Sequence, residues 1–325
     1  MPRLILVCLF LAALLLSLTE DARAAASCTV TPTNLVFGDV SVAILGNAVS
    51  DTTGTISYNC SGAANNSTIR VCLELNHYNA SNTRSMTSGS NILNYQIYRD
   101  SARTLVWGNS SDGNVATIDL LTDGSGAASS SSTMYGRVLT GQNTAALGSY
   151  SHNMAGSSDN RLTVAPNTTN PCTSITSGAK NIAFTTTATV SANCNVSTTV
   201  MNFGSVSTAI SSNVDSTATI TAQCTSTTPY SIGLDNGTNV SGSQRRMRLG
   251  ATANYINYSL YTDPARSVSW LATSSTTSCT GGANTCSLGT GNGSNQNITV
   301  YGRVPPQTAP AAGTFSDTIL ITITY

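Results

Sequence analysis

The sequence predicts an all-β protein made of two tandem immunoglobulin-like β-sandwiches, the second of which lacks its final strand. Three observations predict this fold: a composition rich in Ser, Thr and Asn with 26 glycines, short stretches in which apolar and polar residues alternate, and an internal repeat. β-branched residues favour strands, and Gly and Asn favour the turns between them. A chain of 325 residues is also long enough for two domains.

Residues 1–26 have the pattern of a secretory signal peptide. A positive start at Met1–Arg3 precedes an apolar run, Leu4–Leu18, and Ala24–Ala26 offer a small-residue cleavage site. The run is shorter than the roughly 20 apolar residues of a membrane anchor. The residues before Cys28 do not resemble a lipid-attachment site. We therefore expect the chain to be exported.

The cysteines indicate disulfides. The chain has nine, and the eight beyond the signal peptide are Cys28, Cys60, Cys72, Cys172, Cys194, Cys224, Cys279 and Cys286. An even number in an exported protein favours disulfide pairing. Because the first two of each half lie on matching strands, we predict the pairs Cys28–Cys60 and Cys194–Cys224. Elimination alone leaves Cys72–Cys172 and Cys279–Cys286. The cysteines lack C-x-x-C spacing, so no metal site is expected.

An ordered set of matches shows that the chain is a duplication. The matching segments are CTVTPTNLVFGDV (28–40) with CNVSTTVMNFGSV (194–206), LNYQIYRDSARTLVW (93–107) with INYSLYTDPARSVSW (256–270), and YGRV (135–138) with YGRV (301–304). Repeated matches at a nearly constant offset indicate repeated domains. We place the domains at residues 27–191 and 192–325.

One additional strand distinguishes the first half from the second. Five alternate residues before the domain boundary fall on one face of a strand: Ile182, Phe184, Thr186, Ala188 and Val190. The second half has no such strand after Tyr325. A sandwich without its last strand leaves an open sheet edge, which another chain can fill by strand addition. We expect residues 182–190 to close the first sandwich from within the chain.

The C-terminal segment TILITITY is predicted to border the open groove of the second sandwich. One face of this strand carries Ile319, Ile321, Ile323 and Tyr325, and the other carries Leu320 with three threonines. We expect this strand to contact a chaperone or a donated strand.

Several of these motifs resemble the spore coat protein U domain family, which includes the pilins of Csu-type, archaic chaperone-usher fimbriae. The shared motifs are the cysteine-led C-x-V with a following F-G, the YGRV segment, the terminus PAAGTFSDTILITITY, and the F-x-x-x-A-x-V strand before Cys194. The resemblance covers nearly the whole exported chain. It implies pilin-type sandwiches that exchange strands between subunits.

The resemblance also implies partners. In that family a shaft pilin inserts an N-terminal strand into the next subunit, a periplasmic chaperone holds the open groove, and assembly takes place at an outer-membrane usher. Cleavage near Ala26 would leave almost nothing before Cys28, so we expect a subunit that accepts a strand and donates none. Such a subunit resembles a tip adhesin, exported through the periplasm to the fimbrium tip, where it would mediate attachment to surfaces and biofilm formation.

In related tip adhesins, apolar loops at the far end of the N-terminal domain are thought to bind surfaces. Apolar candidates in the first half are Ile44, Leu45, Leu120, Leu121 and Leu147. We compared the halves, and the loop with Ile44 and Leu45 is more apolar than its counterpart, Thr208–Asn213. These residues are predicted to contribute to surface binding.

Other functions have less support in the sequence. The net charge is zero, which does not favour nucleic-acid binding. The chain has no G-x-S-x-G motif, and its only glutamates are Glu20 and Glu74, so we expect no enzyme and no cofactor. The alternative is a structural coat or matrix protein of the cell or spore surface that polymerises without an usher.

Overall fold

The protein folds into two β-sandwiches in tandem. The computed structural model describes residues 26–41, 50–76, 83–154, 160–175, 179–272 and 286–325. Within these residues the secondary structure is β-strand except for one short 3-10 helix, Cys172–Ser174. The predicted all-β class and the two tandem sandwiches are confirmed.

The described residues of the first half form twelve strands. They are β1 (Ser27–Pro32), β2 (Leu35–Val40), β3 (Ser50–Ser61), β4 (Thr68–Glu74), β5 (Arg84–Ser88), β6 (Asn91–Tyr98), β7 (Ala116–Leu121), β8 (Ala128–Val138), β9 (Gly148–Asn153), β10 (Arg161–Ala165), β11 (Lys180–Asn181) and β12 (Thr185–Val190).

The second half contains the remaining strands. They are β13 (Cys194–Thr198), β14 (Ala209–Ile210), β15 (Val214–Cys224), β16 (Pro229–Leu234), β17 (Arg245–Leu249), β18 (Tyr255–Tyr261), β19 (Cys286–Thr290), β20 (Gln296–Val304), β21 (Gln307–Thr308), β22 (Phe315–Ser316) and β23 (Ile321–Thr324).

Each half has a large sheet and a smaller one. In the first half their orders are β1-β3-β8-β6-β5-β9-β12-β2 and β11-β10-β4-β7. In the second half they are β13-β15-β20-β18-β17-β22 and β19-β16-β23, and β14 pairs with β21. The two large sheets therefore match strand by strand up to β9 in the first half and β22 in the second. The first sheet then continues with β12 and β2, whereas the strands described for the second sheet end at β22.

Alternating side chains build the cores, as the period-2 sequence pattern predicts. In β3, Ile56, Tyr58 and Cys60 are buried while the residues between them are exposed. One apolar cluster fills the first sandwich and a separate cluster fills the second. Each sandwich thus has its own hydrophobic core.

Disulfides link neighbouring strands in both halves. Cys28 and Cys60 are register partners on β1 and β3, and Cys194 and Cys224 are partners on β13 and β15. Cys72 of β4 bonds to Cys172, the first residue of the 3-10 helix that follows β10. These three pairs are those predicted. Cys286 is disulfide-bonded, whereas Cys279 lies outside the described residues.

The repeated YGRV motif has a packing role. A Cβ at Gly136 would lie 2.7 Å from Leu35 and 3.0 Å from Phe37, so only glycine lets β2 cross so close to β8. In the second half, a Cβ at Gly302 would clash in the same way with Met201 and Phe203. In both halves, the segment with these apolar side chains therefore packs closely against the strand that carries the YGRV motif.

The two halves meet through a short linker and a few polar contacts. Oγ1 of Thr225 donates a hydrogen bond to the carbonyl of Ser191, the last residue of the first half, at 3.2 Å. The N–H of Leu147 donates to the carbonyl of Ser226 at 3.0 Å, and Asn143 Nδ2 donates to the carbonyl of Gly293 at 3.1 Å. The loop before β9 consequently lies at the junction.

Candidate strand-acceptor site

In the first half, β12 lies between β9 and β2 of the large sheet. It runs antiparallel to β9, with Thr186 opposite His152 and Val190 opposite Gly148. It runs parallel to β2, with Val190 opposite Val40. The edges of β9 and β2 are thus both paired by a strand that enters the sheet from the end of the first half.

The inner face of this segment fills the first core. The exposed fractions of its five predicted inward side chains are at most 5%. They are Ile182, Phe184, Thr186, Ala188 and Val190. The preceding strand β11 pairs with β10 in the opposite sheet. One continuous segment therefore spans both sheets of the sandwich.

In the second half this position is empty among the described residues. The large sheet ends at β22, and residues 201–206, which match β2 in sequence, form no strand. Val40 is 2% exposed but its counterpart Val206 is 49% exposed. Tyr150 is 1% exposed, whereas its counterpart Phe315 is half-buried.

An open apolar groove occupies the place of the missing strand. It has a volume of about 510 Å³ and continues into a second cavity of about 330 Å³. Both cavities are bordered by Met201, Phe203, Met247 and Phe315. Met86, the counterpart of Met247, is fully buried in the first half. The groove is therefore a core that lacks one layer of side chains.

The C-terminal strand borders this groove in part. Ile319 and Ile321 line it, and Ile323 packs against the second core. Tyr325 was predicted on the same face but is 55% exposed. Leu320 is 57% exposed, in agreement with its prediction on the opposite face. Tyr325 follows the end of β23 at Thr324, and its contact with a chaperone or a donated strand stays a prediction.

One end of the groove is polar. The hydroxyl of Tyr258 donates to Oδ2 of Asp317 at 2.8 Å, and both residues line the groove. Oδ1 of Asp317 accepts hydrogen bonds from Thr238 and Asn239, the shortest at 2.9 Å. Burial and the neighbouring carboxylate raise the pKa of Tyr258, so this phenol stays a neutral donor.

The first half has a different polar pair in this position. Tyr95 Oη lies 2.8 Å from Nδ1 of His152, and these residues match Tyr258 and Asp317. Burial raises the pKa of Tyr95 to about 12, an effect that the nearby Thr186 hydroxyl and Arg84 oppose. Thr186 of β12 covers the pair and is fully buried. Sequence reasoning missed both pairs. Aligning YSH (150–152) with FSD (315–317) shows that His152 and Asp317 are counterparts, but not that each contacts a tyrosine.

The predicted surface residues lie at different ends of the first half. Leu121 is 73% exposed and Leu120 is half-buried at the end of β7. They adjoin paired loops, since Thr122 N donates to Ser67 O and Ala63 N donates to Gly126 O. The antiparallel pair of β3 and β8 has Cys60 opposite Ala128 at one end and Ser50 opposite Val138 at the other. Leu120 and Leu121 lie at the end with Cys60.

Leu147 does not belong with them. It lies at the junction with the second half, where its N–H donates to Ser226, so the prediction that it faces outward is corrected. Ile44 and Leu45 lie outside the described residues. Their role in surface binding therefore stays a prediction. The linker follows Val190, which pairs with Val40. Among the described candidates, Leu121 is the exposed apolar side chain at the end of the first half remote from the linker.

Comparison with known proteins identifies the family. The model of the Spore Coat Protein U domain matches residues 12–156 and 180–322. The chain belongs to the Spore Coat Protein U domain family. Protein U of Myxococcus xanthus is 32% identical over 136 residues, which are 38% of this chain and 71% of that protein.

A solved structure shows the same fold. A chain of the CsuC–CsuE chaperone-tip adhesion subunit pre-assembly complex, from archaic chaperone-usher Csu pili of Acinetobacter baumannii, matches with a TM-score of 0.53 and 16% identity. The match covers 92% of this chain and 100% of that one. The CupB6 tip adhesin of Pseudomonas aeruginosa matches with a TM-score of 0.39 and 10% identity over 93% of this chain and 94% of that one.

The boundaries of the two Spore Coat Protein U matches add information about β12. The second match begins at residue 180, so in sequence β11 and β12 belong to the second repeat. In the structure they pair with strands of the first half. In this chain, the segment at the start of the second match therefore completes the sandwich of the first half.

Two further observations concern the part of the chain that the structure describes. No helix there has the length and apolar character required to cross a membrane. No three His, Cys, Asp or Glu side chains there are grouped so that they could hold a metal ion.

Proposed function

We propose that this protein is the tip subunit, an adhesin, of a chaperone-usher fimbrium that mediates attachment to surfaces and biofilm formation. The observation that carries the proposal is the open edge at β22 beside an apolar groove, in the position that β12 fills in the first half. The protein acts by binding and not by catalysis, and the fold it shares with a chain of the Csu pre-assembly complex supports this assignment.

The open edge requires a partner on physical grounds. An exposed sheet edge above apolar side chains promotes aggregation unless it is covered. A donated strand supplies backbone hydrogen bonds to the edge and side chains to the groove. In the proposed assembly, a periplasmic chaperone covers the groove first, and a strand of a shaft pilin replaces it at the outer-membrane usher.

The two halves have different roles in this proposal because β12 closes the first sandwich and leaves the groove of the second open. The first sandwich is closed by β12, so an incoming strand has its place in the second. The first half then points away from the fibre and makes the surface contact. Leu121 is 73% exposed at the end of the first half that is remote from the linker, which supports its role in that contact.

Expression of the exported chain in the periplasm tests the strand-accepting role. Alone, the chain should aggregate or be degraded, and co-expression with its chaperone should recover a soluble 1:1 complex. A soluble monomer with no helper protein would contradict the proposal. That result would favour the alternative of a coat or matrix protein that forms without an usher.

Attachment of assembled fibres to a hydrophobic surface tests the adhesive role. We expect Leu121→Asp to reduce attachment because a charge would disrupt apolar contact. Leu288→Asp is the matched control, since Leu288 has the same 73% exposure in the second half. Equal attachment by both variants and the unmodified protein, with fibres still present, would refute a contribution of Leu121.

A further inference from the structure

The strand β12 is a template for the side chains that the second groove accepts. The two large sheets are related by the repeat, so Tyr150 corresponds to Phe315 and His152 to Asp317. In the first half, Ala188 lies opposite Tyr150 and Thr186 opposite His152. A strand in the second groove with the same register would place two inward side chains opposite Phe315 and Asp317.

The residue opposite Phe315 must be small. Ala188 is 3% exposed and Tyr150 is 1% exposed, so in the first half an aromatic ring and a methyl group share this layer of the core. Phe315 retains the aromatic ring. A larger side chain opposite it would overfill the layer.

The residue opposite Asp317 faces a carboxylate, where the first half has an imidazole. Among the described residues, Oδ2 of Asp317 accepts a hydrogen bond from Tyr258, and a carboxylate oxygen can accept a second. A strand entering the groove removes water from this oxygen. If the side chain opposite Asp317 were apolar, it could not replace the hydrogen bond that this water donates to Oδ2, and the strand would bind less tightly.

We propose that the Tyr258–Asp317 pair makes the second groove selective for a donated strand with a hydroxyl-bearing residue, Thr or Ser, opposite Asp317 and Ala or Gly opposite Phe315. The strand runs antiparallel to residues 313–318 and parallel to residues 201–206, as β12 runs against β9 and β2. The inference rests on the proposed strand-accepting function and specifies the chemistry of the partner strand.

The geometry favours a hydroxyl over other polar groups. Thr186 occupies this layer without exposure, so the space beneath the Tyr–Asp pair in the second groove accommodates a side chain of that size. Thr and Val have nearly the same volume, but only the Thr hydroxyl can donate a hydrogen bond to Oδ2 of Asp317. Longer polar side chains would have to displace Tyr258, which is 4% exposed.

The test uses the full exported chain with a strand appended through a short Gly-Ser linker. The appended strand copies residues 182–190, and a variant replaces its copy of Thr186 with Val. Trp107→Phe leaves Trp270 as the only tryptophan, since the chain has two, so fluorescence follows unfolding of the second half. We expect Thr→Val to lower its Tm by about 4 °C, a loss of about 1 kcal/mol in a domain of this size.

Two controls separate selectivity from general packing. Replacing the copy of Thr189, which is exposed in β12, with Val should leave the Tm within about 1 °C. In an Asp317→Leu background the preference for Thr over Val should disappear, and if that variant does not fold, Asp317→Asn should reduce the preference. If Thr→Val in the appended strand lowered the Tm equally with Asp317 present and with Asp317 replaced, the inference would be overturned. The proposed strand-accepting function would still stand. If no appended strand raised the Tm, the proposed function itself would fail.

Discussion

Ala188 of β12 lies directly opposite Tyr150 of β9 in the antiparallel ladder of the first half. This pairing closes the first sandwich, because the methyl group and the ring are both buried. Phe315, the counterpart of Tyr150, is only half-buried and lines the open groove. The same fold is thus present twice, and among the described residues its last strand is present in the first copy and absent from the second.

The contribution of β12 to the first half can be measured with one substitution. Ala188→Asp places a charge in a dry core layer, and we expect the free energy of unfolding to fall by about 3 kcal/mol or more. Fluorescence of Trp107 during urea unfolding reports this in a Trp270→Phe background. Thr189→Asp is the control because Thr189 is exposed on the same strand. Similar losses for both substitutions would contradict the inward placement of Ala188.

Arg84 is a buried cation that holds the first core together. Its guanidinium donates to the carbonyls of Leu75 and Trp107, each at 2.7 Å, and it contacts Gln96. Arg84→Met would leave these carbonyls without a partner, and we expect a loss of about 3 kcal/mol in stability. Arg70→Met should have little effect, since the Arg70–Asp119 ion pair is solvent-exposed. A small effect of Arg84→Met in urea unfolding would contradict the structural role.

His152 should make the first half sensitive to mild acid. Burial and the charge of Arg84 lower the pKa of His152 from its usual value of 6.5, so the unfolded chain binds a proton more readily than the folded one. The stabilising contribution is present above pH 6.5 and is lost as the pH falls towards the lowered pKa. By contrast, the hydrogen bond from Arg137 lowers the pKa of Asp51 below 3.8, so the contribution of Asp51 is lost only in stronger acid.

The histidine effect is measured as Tm against pH between 7 and 5. We expect the Tm of the first half to fall over this range, and His152→Gln should flatten the curve. An unchanged slope in the glutamine variant would show that another group is responsible.

The disulfide between Cys72 and Cys172 should contribute more than the one between Cys28 and Cys60. The former closes a loop of sequence separation 100 and the latter one of 32. Chain entropy in the unfolded state then predicts a difference of about 1 kcal/mol. Paired Cys→Ser variants in urea unfolding check this, and an equal or reversed order would contradict the entropic account.

The sequence predicted the closing strand but not the end of the sandwich at which each loop lies. Alternation over Ile182–Val190 identified the inward face correctly because a strand has a fixed period of two. Loops carry no such period, so Leu147 was assigned to the outer end although the sheet order places it at the junction.

The polar contacts of the groove could not be predicted from the pattern of residues within one segment of the sequence. Asp317 meets Tyr258 across two strands that are far apart in the chain, and such a contact depends on the sheet order. The internal repeat did carry the information, since each residue has a counterpart in the pair formed by Tyr95 and His152. Comparison of the halves therefore predicts more here than either half alone.

Hydrogen exchange of the full exported chain tests most directly the claim that one sandwich is closed and the other open. The matched segments are residues 35–40, which pair with β12, and residues 201–206, which form no strand. We predict backbone amides that exchange at least about 100-fold more slowly in the first segment, because exchange there requires β12 to detach. Equal protection of the two segments in the isolated chain would contradict the account.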